Sequence, residues 1–87
     1  MKEQVEQVFR NFNLNPINVT IDRDHEEKGV PSWKVRVVYN NGEAPNYWAE
    51  WTFAKGNHMN ENDIFRVMNS YLFSRANTFN EGQLMSL

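Results

Sequence analysis

The sequence has no cysteine, no apolar run longer than three residues, no glycine-rich loop and no excess of basic charge. Each absence removes a class of function. Without cysteine there is no disulfide, no thiolate nucleophile and no sulfur-ligated zinc site. Packing alone must then hold the fold, which makes a cytoplasmic location the expectation. Without a long apolar run, no membrane-spanning helix is expected. The opening Met1-Lys2-Glu3-Gln4 leads into an amphipathic segment rather than an apolar run of about 7–15 residues, so no signal peptide is expected. Four glycines (Gly29, Gly42, Gly56 and Gly82) are scattered at turn positions, which leaves no loop to cradle a phosphate. Nine Lys and Arg against eleven Asp and Glu give a formal net charge of −2, unsuited to neutralising phosphates over a wide surface.

What the chain does have is aromatic bulk. Its 87 residues suffice for one domain with one modest core. Chains of this size bury only roughly 60–65% of their unfolded surface. Twelve aromatic side chains, three of them Trp33, Trp48 and Trp51, therefore carry much of the burial. Each removes about 150–250 Å² from water. The thirteen asparagines fall mostly where turns and caps are expected, as at Asn11, Asn13, Asn15, Asn40, Asn41 and Asn60.

Val5, Val8, Phe9 and Phe12 recur at helical spacing, with Lys2, Glu3, Glu6, Gln7 and Arg10 on the opposite side. This first helix should end near Asn13, since Asn15-Pro16 turns the preceding backbone away from the helical region. Ile17-Asn18-Val19-Thr20-Ile21-Asp22 alternates with period two and reads as a half-buried strand. Asp24-His25-Glu26-Glu27-Lys28-Gly29 reads as a charged loop that Pro31 ends.

The next two strands fix their own register. Trp33–Tyr39 and Tyr47–Phe53 flank a loop carrying Asn40-Asn41-Gly42 and Pro45, a hairpin signal. If Asn40 faces Asn46, one face pairs Tyr39 with Tyr47, Val37 with Ala49, Val35 with Trp51 and Trp33 with Phe53. The other face pairs Val38 with Trp48, Arg36 with Glu50 and Lys34 with Thr52. That register yields an apolar face and an opposite-charge pair together, and a slip of one residue destroys both.

Lys55-Gly56-Asn57-His58 should end the sheet. Asn60 is then the N-cap of a second helix, with Asp63 completing a capping box and Met59 with Ile64 forming a hydrophobic staple. The helix carries a broad apolar stripe of Ile64, Phe65, Val67, Met68, Tyr71, Leu72 and Phe79. Residues 81–87 form a tail that docks or frays. The expected fold is α+β in the order α-β-β-β-α, a three-stranded antiparallel meander with both helices packed on one face.

Chemistry finds few candidates. Nucleophilic catalysis needs a nucleophile, a base and a group to hold the base, but His25 and His58 stand in a charged loop and before a helix, and Ser32, Ser70, Ser74 and Ser86 have no motif around them. The acidic run Asp22–Glu27 lacks the spacing of a calcium loop. No catalytic, cofactor-binding or metal-binding residues are assigned, and no cofactor is expected. The order α-β-β-β-α resembles that of the double-stranded-RNA-binding domain. That family opens its second helix with lysines aimed at phosphates. The matching stretch here, Asn60-Glu61-Asn62-Asp63, is acidic, so the resemblance implies the topology and not the activity.

The remaining feature is a tryptophan on the polar face of the hairpin. Trp48, opposite Val38 and beside Arg36 and Glu50, lies under a further element, for which Leu84, Met85 and Leu87 of the tail are candidates, or against another chain, or is simply exposed. The expectation is a non-enzymatic protein-binding module acting through a sheet face or edge on a protein partner or on a second copy. Its size and lack of catalytic motifs also fit an accessory protein or a phage- or mobile-element-type inhibitor. A nucleic-acid-binding domain is the alternative, and a hydrolase with an unfamiliar site the third.

Overall fold

The computed structural model describes residues 1–56, 60–78 and 85–86, the side chains of 75–78 and 85–86 excepted. Helix α1 (Lys2–Arg10) is followed by strands β1 (Asn15–Glu27), β2 (Val30–Asn40) and β3 (Tyr47–Ala54), helix α2 (Glu61–Thr78) and a short strand β4 (Met85–Ser86). The sheet runs β1-β2-β3-β4 with every pair antiparallel. The architecture is α+β, the three long strands forming the expected meander.

Helix α1 buries Val5, Val8 and Phe9. It stops before Pro16 acts, because Asn13 adopts a left-handed φ of 61°. The Leu14 N–H then donates to the Phe9 carbonyl at 3.1 Å and the Asn13 N–H to that of Arg10 at 2.9 Å, the paired bonds of a Schellman ending.

The expected loop at 24–29 is instead strand and turn. Strand β1 continues to Glu27, and Lys28 (φ 53°) with Gly29 (φ 84°) makes a two-residue turn into β2, which starts at Val30 rather than Trp33. Two register shifts interrupt the β1–β2 ladder, at Ile17 and across Arg23-Asp24. Such bulges twist an edge strand and discourage strand addition by another chain.

The β2–β3 register is the expected one at every position from Trp33↔Phe53 to Tyr39↔Tyr47. Asn40 organises the turn beyond it. Its side chain accepts from the Gly42 N–H at 3.0 Å and donates to Asn46 Oδ1 at 3.1 Å.

The core is one cluster. Val19, Val35, Val37, Tyr39 and Ala49 from the sheet join Val5, Val8 and Phe9 of α1 with Ile64, Met68 and Leu72 of α2. Ring contacts fix which face the helices cover. Phe9 lies 5.1 Å from Tyr39 and 6.1 Å from Trp51, and Tyr71 of α2 meets Trp51 edge-on at 5.4 Å. Both helices therefore sit on the Tyr39–Trp51 face. The apolar stripe of α2 is narrower than expected: Ile64, Met68 and Leu72, one turn apart, are buried, Phe65 and Tyr71 are half-buried, and Val67 is exposed. Phe79 and the staple residue Met59 lie outside the described residues.

The capping box at the start of α2 is closed in both directions. The Asp63 N–H donates to Asn60 Oδ1 at 3.0 Å, and the Asn60 N–H to Asp63 Oδ2 at 3.3 Å. Asn60→Ala removes an acceptor for an orphan helix N–H and is expected to cost about 1 kcal/mol. Urea denaturation checks this, and an unchanged midpoint would show that the box contributes nothing.

Candidate protein-binding face

Strand alternation sends every second residue to the face without helices. Cross-strand partners share a face, so the register lays out three rows: Asn18–Val38–Trp48, Thr20–Arg36–Glu50 and Asp22–Lys34–Thr52. The four residues singled out from the sequence, Trp48, Val38, Arg36 and Glu50, thus form a contiguous block in two adjoining rows. Val38 and Trp48 are half-buried, while Arg36 and Glu50 are exposed. The β1 column of Asn18, Thr20 and Asp22 widens the face. Its signal was present in the alternation of Ile17–Asp22.

The electrostatics differ in one respect from a simple opposite-charge pair. Arg36 and Glu50 are direct partners in the ladder. Yet Glu50 Oε1 lies 3.6 Å from Lys34 Nζ, diagonally across the strands, and the Arg36 guanidinium lies 4.8 Å over the Trp48 ring. Diagonal neighbours are within reach of long side chains, and the indole face attracts a cation. The ladder position is as expected and the ion pair is redistributed. Asp22 and Glu50 balance Lys34 and Arg36, so the grid is a neutral mosaic around a tryptophan.

Of the tail, only Met85 and Ser86 are described, and they continue the sheet beyond β3. Met85 pairs with Trp48 and Ser86 with Tyr47, which makes β4 a fourth strand in the plane of the sheet, at its β3 edge. Leu84 and Leu87, the other candidates for covering Trp48, lie outside the described residues.

The next row toward the β1–β2 turn pairs His25 with Ser32. Ser32 is buried, and its hydroxyl donates to the Val30 carbonyl at 2.9 Å. His25 Nε2 lies 2.8 Å from Glu27 Oε1. That hydrogen bond, helped by the charges of His25, Lys34 and Lys28, holds the Glu27 carboxyl below the ordinary glutamate value. A carboxyl with a depressed folded-state pKa stabilises the fold above its unfolded value, and the contribution is lost as pH falls through the folded value. Side-chain NMR titration is expected to show Glu27 ionising below its ordinary value, and rising toward it in His25→Ala. An unchanged Glu27 titration in that variant would contradict the contact.

Among the described residues, no group of three or more His, Cys, Asp or Glu side chains converges as a metal ion would require. No described helix is long and apolar enough to cross a membrane. Comparison with models of protein families, with curated proteins and with solved structures gives no match.

Proposed function

We propose that this chain is a non-enzymatic binding module whose helix-free sheet face, centred on Trp48, takes a protein partner or a second copy of itself. One observation carries the reading. Trp48 and Val38 are half-buried on a face that neither described helix covers, with Arg36 over the indole and polar residues around them. A tryptophan left in water forgoes burial energy, and interface hot spots draw on such an anchor ringed by polar groups that exclude water. The balance of two acidic and two basic residues in the grid favours a protein over a polyphosphate, which needs a net basic surface. An accessory protein or an inhibitor would work through the same face.

The test separates anchoring from structural support. Trp48→Ala is expected to abolish partner binding or self-association while costing about 1 kcal/mol or less in stability, as substitutions outside the core do. Binding is read by analytical ultracentrifugation and calorimetry, stability by thermal melting. A Trp48→Ala chain that binds at full affinity would defeat the proposal. So would one whose binding falls only because its melting temperature drops as far as that of a chain lacking residues 83–87.

A further inference from the structure

The arginines of the chain differ in one respect that bears on what the Trp48 face takes. Arg10 lies 3.8 Å from Glu6, Arg23 3.9 Å from Glu61 and Arg66 2.6 Å from Asp63. Arg36 is the exception among the described arginine side chains: it lies over the Trp48 ring and forms no ion pair, although Glu50 stands directly opposite it. Glu50 is engaged by Lys34. The comparison with Arg23 is close, because that guanidinium also lies over an indole, 4.7 Å from the centre of Trp33. On the helix-covered side the chain thus completes a set of tryptophan, arginine and carboxylate from its own residues. On the open side it builds the tryptophan and the arginine, but among the described residues no carboxylate lies within ion-pair distance of that arginine, Glu50 being held by Lys34.

We infer that the partner segment carries an Asp or Glu beside an apolar residue, the carboxylate seated on Arg36 and the apolar side chain on Trp48 and Val38. The inference rests on the binding face proposed above. Contact with an indole leaves the five N–H donors of a guanidinium available and restrains a side chain that would otherwise lose freedom on binding. A planar carboxylate matches that fork and can take two parallel hydrogen bonds. The pairing of Glu50 with Lys34 reduces the repulsion an incoming carboxylate would meet. A nucleic-acid strand would bring a row of phosphates past Asp22 and Glu50, in the rows on and next to Arg36, with one unpaired cation to receive them.

The experiment uses the full chain as bait for a displayed library of random peptides, followed by titration calorimetry with one selected peptide synthesised in acidic and amide forms. Selected peptides are expected to share an Asp or Glu next to an aliphatic or aromatic residue. Arg36→Gln should weaken binding about tenfold or more, as loss of a charge-assisted bidentate contact does. Arg36→Lys should recover part of that loss. Changing the peptide carboxylate to its amide should cost as much in the wild type and little in Arg36→Gln, the non-additivity that marks a direct pair. Arg23→Gln should leave binding unchanged. Selection of peptides without carboxylates, of no peptide at all, or Arg36-dependent binding of an oligonucleotide instead would overturn the inference. If Trp48→Ala abolishes binding while Arg36→Gln does not, the inference fails and the binding face stands. If neither matters, both fall.

Discussion

Replacing Phe9 with alanine is expected to destabilise the fold by about 3–5 kcal/mol. Phe9 is completely buried and touches both halves of the core, with Tyr39 at 5.1 Å on β2 and Trp51 at 6.1 Å on β3. Truncation removes the transfer energy of the ring and leaves a cavity. Tyr39 is held in the sheet ladder and cannot move in to fill it. The Phe9 carbonyl also receives the Leu14 N–H that ends α1, a backbone bond the substitution leaves in place. The loss is therefore one of packing. A domain of this size has a total stability of only about 4–13 kcal/mol, so Phe9→Ala should remove a large fraction of it. Thermal melting monitored by circular dichroism checks it, at about 4–8 °C per kcal/mol for small domains. A melting temperature within a few degrees of wild type would mean that α1 is not docked through Phe9.

Trp51→Ala is the second large effect, expected at about 3 kcal/mol, the lower end for a tryptophan truncation. The reason for the lower value is that Trp51 is half-buried where Phe9 is fully enclosed. Its ring nonetheless joins the two helices, with Tyr71 edge-on at 86° and Phe9 at 75°. Edge-to-face pairs contribute about 0.5–1.5 kcal/mol each beyond area burial, and both are lost together. The contrast with Trp48, three residues earlier on the same strand, is sharp. The two indoles occupy opposite faces, so one substitution should cost stability and the other binding. Urea denaturation of Trp51→Ala and Trp48→Ala side by side checks the division. Equal losses of stability would contradict the assignment of faces.

The β2–β3 hairpin was legible because two independent patterns, apolar alternation and the opposed charges of Arg36 and Glu50, demanded one register. The capping box of α2 was legible because Asn60 and Asp63 stand at the spacing their hydrogen bonds require. The β1–β2 turn was hidden. Asp24–Glu27 is charged and mostly exposed, so no burial pattern marks it as strand, and its pairing comes from the ladder with Val30–Ser32. Gly29, a glycine directly before Val30, was the available signal. Lys28, an unusual residue for a left-handed position, obscured it. The end of α1 was misattributed to Pro16 because the left-handed turn at Asn13 depends on backbone bonds that composition does not announce. On the outer face, the choice of Glu50 between Arg36 and Lys34 lay beyond the sequence. Both cations are within a long side chain's reach, and the attraction of Arg36 to the Trp48 ring decides the outcome.

Partner contacts are expected to fall on the face without helices. Amide and indole chemical-shift mapping of the isotopically labelled full chain, titrated with a bound peptide or by self-association, tests it most directly. The shifts are expected to cluster on Thr20, Arg36, Val38, Trp48 and Glu50, with the Trp48 indole N–H moving most and those of Trp51 and Trp33 hardly at all. Shifts centred on the exposed Val67 and Phe73 of α2 instead, with the Trp48 indole unmoved, would contradict it.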